Sequence, residues 1–266
     1  VDARKRIDAA IKLWPLVKVA KRIGDVRPFR AVAKYFASEE AFRGSFIPVD
    51  EAIEVQPGKL VAVEILPKLI EMASHVSRLN FCPCRVAEKC ESFPHDFGCL
   101  FLGPGASEID PNIGKALSKR EAYEHVERGL HLGLLSMVGH IKLDSIVFCL
   151  SQFDRFVTIC FCCRCCCLLR SGMGRLVRAF PFSLERVSGF SVEVSEDCDG
   201  CGVCAAVCPV GNIEIGESGP HHGGVCVGCG ECARACPRKA IRVIINPEKD
   251  LFEDIKSRIL KDVDIT

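Results

Sequence analysis

The sequence predicts an α+β fold in two parts: a larger amino-terminal part of mixed helix and strand, and a small carboxy-terminal unit built on a repeat. Three observations carry this expectation. The 266 residues are 48% hydrophobic, enough for one large or two modest cores. Helical and extended patterns alternate along the first two thirds of the chain. Finally, the last eight of nineteen cysteines fall into two copies of one spacing, C-x2-C-x2-C-x3-C-P: Cys198, Cys201, Cys204, Cys208 with Pro209, then Cys226, Cys229, Cys232, Cys236 with Pro237.

Read in order, the chain opens on a basic stretch. Residues 1–34 hold ten Lys or Arg against Asp2, Asp8 and Asp25, which reads as a solvated face or as a docking surface for an acidic partner or membrane. A strand is expected around "SFIPV" (45–49), a turn at "QPGK" (56–59), and a helix through "LVAVEILPKLIEMA" (60–73), where Pro67 marks a kink or the true start. The next helix is better signed. Ser118 with Glu121 makes an S-x-x-E capping box, and Ala122, Val126 and Leu130 recur at the helical period. Two strand-like runs follow, "LDSIVFCL" (143–150) and "RFVTICFC" (155–162).

Composition excludes several classes. A net charge of +1 gives the whole molecule no general attraction for nucleic acid, and aromatics at 7% are not interleaved with basic residues. The longest uncharged apolar run, "GLHLGLLSMVGHI" (129–141), falls short of the ~18 residues of a spanning helix. Lys12, Lys18 and Lys21 interrupt the only segment resembling an export signal, so a cytoplasmic chain with reduced thiols is expected. The Gly-rich stretches "GPGAS" (103–107) and "SGMGR" (171–175) fit neither the dinucleotide fingerprint nor the phosphate loop.

Reduced thiols at metal-ligand spacing point to metal chemistry. Cysteines two residues apart wrap a metal cluster only if the intervening loop is tight. Gly200, Gly202, Gly228 and Gly230 supply that tightness, and a proline after each fourth cysteine turns the chain away. A zinc ribbon needs two pairs separated by a longer spacer and fits poorly. Residues 190–245, about a fifth of the chain, resemble the bacterial two-cluster 4Fe-4S ferredoxins. The resemblance implies one cluster on Cys198, Cys201, Cys204 and Cys236, and a second on Cys226, Cys229, Cys232 and Cys208. It also implies an outer strand pair at "FSVEV" and "AIRVII" and an inner hairpin at "NIEIG" and "GGVCV". Asn212 departs from the small residue the family usually has there, which bears on packing rather than ligation. The expected organisation is therefore a mixed α/β amino-terminal iron-sulfur domain (1–186), a ferredoxin-like two-cluster domain (187–246) and a carboxy-terminal helix (247–266).

Ten further thiols lie in two places. "FCPCRVAEKCESFPHDFGCL" supplies Cys82, Cys84, Cys90 and Cys99, the right number for one 4Fe-4S cluster. "CFCCRCCC" supplies Cys160, Cys162, Cys163, Cys165, Cys166 and Cys167. If the strand runs on, Cys160, Cys162 and Cys166 face one way and Cys163, Cys165 and Cys167 the other; on a helix Cys160, Cys163 and Cys167 share a face. Either geometry makes neighbours diverge, so the ten suit two clusters, or one larger than a cubane, with spare buried cysteines or a metal sink as alternatives. Cys149 reads as a small buried hydrophobe.

The tract, with its upstream C-x-C-R, resembles uncharacterised ferredoxin-fused iron-sulfur proteins of anaerobes that carry a CFCC-x-CCC element. Its paired cysteines also resemble the double-cysteine domains of heterodisulfide reductases, though Arg164 follows Cys163 where those domains have glycine. A cluster held by thiolates on every iron passes an electron but has nowhere to bind a substrate, so the expectation is an iron-sulfur electron-transfer protein of anaerobic metabolism, its ferredoxin domain relaying low-potential electrons between a redox-protein partner and an unusual amino-terminal centre. The alternative is a reductase with its substrate at that centre, so enzyme status stays open. His95, His131, His140, Arg85 and Arg164 are the candidate proton donors or anion contacts.

Overall fold

The structure, a computed structural model, describes residues 3–16, 19, 38–48, 61–170, 184, 186–217, 219–246 and 248–266. Most of the basic stretch, and the "QPGK" and "SGMGR" segments, lie outside the described residues. The fold is α+β, with the elements α1 (Ala3–Lys12), β1 (Phe42–Phe46), α2 (Val61–Met72), β2 (Val76–Leu79), α3 (Pro83–Ala87), β3 (Leu100–Leu102), β4 (Gly114–Ala116), α4 (Lys119–His131), β5 (Leu135–Ile141), α5 (Lys142–Phe148) and β6 (Val157–Cys162) in the amino-terminal part. Then come β7 (Phe190–Val194), α6 (Val203–Val207), β8 (Ile213–Gly216), β9 (Gly219–His222), α7 (Glu231–Ala235), β10 (Ile241–Ile245) and α8 (Leu251–Ile259).

Six strands form one antiparallel sheet in the order β1-β5-β6-β3-β2-β4. Its central strands β5 and β6 are buried throughout, so both faces must be covered. Side chains of Leu100, Leu102, Val157, Ile159 and Phe161 join a large core, while Phe101, Leu79 and Phe156 join a second with Ile7 of α1 and Phe148 of α5. Helix α4 begins at the expected capping box: the Ser118 side chain accepts from the Glu121 N–H, and the Glu121 carboxylate accepts from the Ser118 N–H at 2.8 Å. It packs close to the sheet, because a Cβ on Gly129 would lie 2.6 Å from Phe161.

Several expected elements differ. "LDSIVFCL" is not a strand but α5, which starts directly after β5 and closes at Cys149 in a left-handed conformation (φ 61°). A short apolar run reads equally as strand or buried helix, and here Asp144 in the first turn accepts from Thr158 Oγ1 at 2.7 Å. The first strand is present but lies at 42–46, sharing Ser45 and Phe46 with "SFIPV", because β1 pairs with β5 from Phe42↔Ile141 to Phe46↔Met137. Pro67 is inside α2 and does not start it.

In the carboxy-terminal unit, β7 and β10 pair as expected. The inner hairpin pairs β8 with β9, residues 219–222, through Gly216↔Gly219, so "GGVCV" is not its second strand but the loop that carries Cys226 onward. After β10 the chain returns to the sheet. Helix α8 buries Ile255 and Ile259, Arg43 pairs with Asp262 at 3.0 Å, and Ser74 N–H donates to Ile265 O at 2.9 Å.

Candidate metal centres

The two carboxy-terminal cysteine runs have the same backbone. Gly202 and Gly230 precede α6 and α7 with φ 77° and ψ 0°, a left-handed conformation that strains any residue with a Cβ. Each fourth cysteine accepts a backbone N–H from four residues on, Asn212 to Cys208 and Ala240 to Cys236, both at 3.3 Å. One cavity is lined by Cys198, Cys201 and Cys204 together with Cys236, and another by Cys226, Cys229 and Cys232 together with Cys208. Each thus gathers three sulfurs of one run and the last of the other. Burial raises the thiols of Cys204 and Cys229, and pushes that of Cys232 up to about 12. Thiolates there need a cation to hold them.

The amino-terminal thiols are gathered by the sheet. Strand β3 pairs with β6 through Leu100↔Ile159, and continuing that register by one residue sets Cys99 opposite Cys160; their sulfurs lie 3.6 Å apart. Cys162 falls on the same face as Cys160. Strand β6 ends at Cys162 and a turn over 164–166 reverses the chain, so the tract is neither extended nor helical throughout. This turn changes the expected partition. Cys163, Cys165 and Cys166 meet Cys90, with all four sulfurs within 4.8 Å of one another. Cys90 Sγ is 3.4 Å, and Cys166 Sγ 3.5 Å, from Cys165 Sγ.

The other six form a second neighbourhood. Hydrogen bonds link the thiols of Cys82 and Cys84, Cys84 and Cys167, and Cys167 and Cys162, while Cys162 also borders Cys160. Cys82 stands at the N-cap of α3 with Pro83 after it, so Cys82 and Cys84 meet through a helical turn rather than an extended face. The upstream four cysteines therefore divide three to one, with Cys90 apart. Hydrogen bonds between neighbours, with burial, raise the thiols of Cys82, Cys84, Cys160 and Cys167 well above the usual range. In the smaller set burial opposes ionisation of Cys90, but hydrogen bonds from Cys166 and Cys165 hold its thiol below the usual value.

Arg85 lies between the two sets, close to Cys82, Cys99 and Cys163. It is 1% exposed, and its guanidinium donates to Phe161 O at 3.1 Å and to Phe97 O. Its Nε is buried with no hydrogen-bond partner among the described residues. A buried cation with a spare donor beside clustered sulfurs fits an anionic thiolate-bound metal group.

Residues 197–240 match the family described as a 4Fe-4S dicluster domain. No curated protein and no solved structure matches the chain. The dicluster region together with the cysteine cluster of the amino-terminal part points to iron-sulfur electron transfer.

The dicluster region joins the sheet through charge as well as apolar contact. Glu231, 2% exposed, is paired with Arg170 and with Arg234, whose Nη2 is 2.5 Å from Glu231 Oε1. Sequence reasoning missed Arg170 and Glu231. The signal for Glu231 was present, since the first cysteine run carries Val203 at the equivalent place; Arg170 had none. Among the expected polar candidates, His140 stacks on Phe153 at 3.9 Å and is held at about 4 by burial, His131 and Arg164 are exposed, and His95 Nε2 is 2.7 Å from Cys90 O.

Proposed function

We propose that the protein is a cytoplasmic iron-sulfur electron carrier of anaerobic metabolism, whose dicluster region passes electrons between a redox-protein partner and metal groups held by the amino-terminal sheet. The observation that carries this reading is the convergence of ten thiols from two distant segments into two adjoining sets beside the dicluster region. On this reading Cys198, Cys201, Cys204 and Cys236 hold one 4Fe-4S cluster, and Cys226, Cys229, Cys232 and Cys208 the other. The chain divides into a metal-binding part (1–186), a dicluster part (187–246) and a carboxy-terminal segment (247–266).

The two amino-terminal sets suit different groups. A tetrahedron drawn at a metal–sulfur distance of about 2.3 Å has edges of about 3.8 Å. The sulfurs of Cys90, Cys163, Cys165 and Cys166, all within 4.8 Å, match a single tetrahedral ion, whereas a cubane places four irons between its thiolates and spreads them further. Cys82, Cys84, Cys99, Cys160, Cys162 and Cys167 offer six sulfurs, enough for an iron-sulfur cluster. When bound, such clusters supply one-electron oxidation and reduction at low potential. The chain's own groups hold the sulfurs, balance their charge through Arg85 and exclude water by burial of Cys162 and its neighbours.

Anaerobically prepared protein should contain clearly more iron than the roughly eight atoms two cubanes need, with one further tightly held metal atom. Cys162→Ser and Cys163→Ser should perturb different spectroscopic features while the dicluster signals persist. Iron near eight, with the amino-terminal thiols fully reactive, would sink the reading. A spectrum that shifts on adding a small thiol or disulfide would move the balance to the reductase alternative, because it requires an iron open to a ligand.

A further inference from the structure

The two cysteine runs differ most where their backbones are alike. After the left-handed glycine, the first run places Val203, which is 37% exposed, and the second places Glu231, which is 2% exposed. A buried carboxylate is costly unless paired, so the second run needs partners at a position that the first run leaves exposed. Glu231 is paired on two sides. Arg170 lies three residues after the last cysteine of the tract, and its own backbone N–H is directed at the Cys167 sulfur, a member of the six-thiol set. Arg234 reaches the end of α4, where its Nη1 donates to Gly133 O at 2.9 Å. Glu231 itself sits between Cys229 and Cys232. A continuous path of bonded and hydrogen-bonded atoms therefore runs from Cys232 through Glu231 and Arg170 to Cys167. Arg170 Nη1 is also buried without a hydrogen-bond partner among the described residues, a donor that an anionic cluster would satisfy.

We propose that Glu231, clamped by Arg170 and Arg234, fixes the order of electron flow: the site of Cys208, Cys226, Cys229 and Cys232 is the inner one, exchanging electrons with the six-thiol site at its Cys167 end. The site of Cys198, Cys201, Cys204 and Cys236, whose Cys201 is exposed, is the outer one, reached by an external one-electron redox protein. The proposal rests on the electron-carrier reading above. In the forward direction one electron leaves the inner site, which is oxidised, and enters the six-thiol site, which is reduced. The inner site regains one electron from the outer site, and the outer site from the external carrier. No covalent bond changes and no proton moves. Glu231, Arg170 and Arg234 are positioning residues in this scheme.

The test uses the full chain, loaded anaerobically, reduced with dithionite and followed by electron paramagnetic resonance. Cys226→Ser and Cys198→Ser assign the inner and outer signals. In the unaltered protein the amino-terminal signal should be broadened by the inner signal and not directly by the outer. Glu231→Gln, nearly equal in volume, should lose that broadening and slow the arrival of electrons at the amino-terminal centre, leaving the outer signal in place. Arg170→Lys should restore part of the broadening that Arg170→Met removes. An amino-terminal signal coupled to the outer site, or coupling untouched by Glu231→Gln, overturns the order of flow alone. Absence of any amino-terminal signal overturns both it and the carrier reading. The unaltered protein decides the order of sites even if a variant fails to load.

Discussion

The dicluster region and the amino-terminal sheet both gather cysteines, by opposite means. In the former all eight sulfurs lie between Cys198 and Cys236, and left-handed glycines shape each loop locally. In the latter Cys99 and Cys160 meet only because β3 and β6 pair, and Cys90 meets Cys165 across 75 residues of chain. The first site is encoded in its loops and depends on its metal for order. The second is encoded in a sheet that also buries Leu100, Ile159 and Phe161, so apolar packing as well as metal binding holds it together. The lesson is that ligand spacing along the chain reports on how a site is built, not only on what it binds.

Metal removal should expose this difference most strongly. In small metal sites the binding energy is folding energy, of order 10 kcal/mol or more for a structural ion. Chelation should therefore abolish amide protection in residues 197–240 while β5 and β6 stay protected, as hydrogen exchange would register. Equal loss in both regions would erase the distinction. The next effect concerns Arg85. Replacing it by Leu leaves clustered thiolates without their buried cation, and breaking such an arrangement costs about 3–5 kcal/mol, read by denaturant unfolding of the loaded chain. If the thiols are metal-free and neutral, the same change should cost far less, so the experiment also reports occupancy.

Acid should act on the sheet through its histidines. Burial lowers His125 and His140 to about 4. Because their folded values lie below the unfolded value of ~6.5, the unfolded chain takes up more protons as pH falls. Each histidine then withdraws up to about 3 kcal/mol between pH 6.5 and 4. Asp144, raised to about 7 by burial, acts in the opposite sense over the same range, gaining its proton in the folded state. With two groups against one, apo protein should unfold at lower denaturant at pH 5 than at pH 7, and His125→Phe should shrink the difference. The smallest effect is local packing: Gly129→Ala forces a methyl against Phe161 and should cost about 1–3 kcal/mol in the same unfolding assay.

What could be read from the sequence follows the same division. The capping box at Ser118, the strands 157–162, 190–194 and 241–245, and the paired cysteine runs depend on neighbours in the chain, and each was legible. "LDSIVFCL" was not, because a short apolar run takes its conformation from what covers it; here it becomes α5 over Phe101. "GGVCV" failed for a different reason. Closure of the hairpin at Gly216↔Gly219 sets a register that runs out at Gly223, whose N–H donates to Asn212 O at 2.9 Å, and leaves nothing of β8 for residues 224–227.

By itself the sequence determined the chemistry of this protein: nineteen cysteines, two iron-sulfur runs, and a tract in which adjacent thiols must diverge because consecutive side chains leave any regular backbone in different directions. Only the tertiary structure decided which thiols meet. The turn at 164–166 sends Cys163, Cys165 and Cys166 to Cys90 and returns Cys167 to Cys162 and Cys84, a partition that neither the strand nor the helix period contains. The same holds for Glu231 and Arg170, since pairing across 61 residues is set by how the dicluster region packs on the sheet and leaves no periodic trace in either segment.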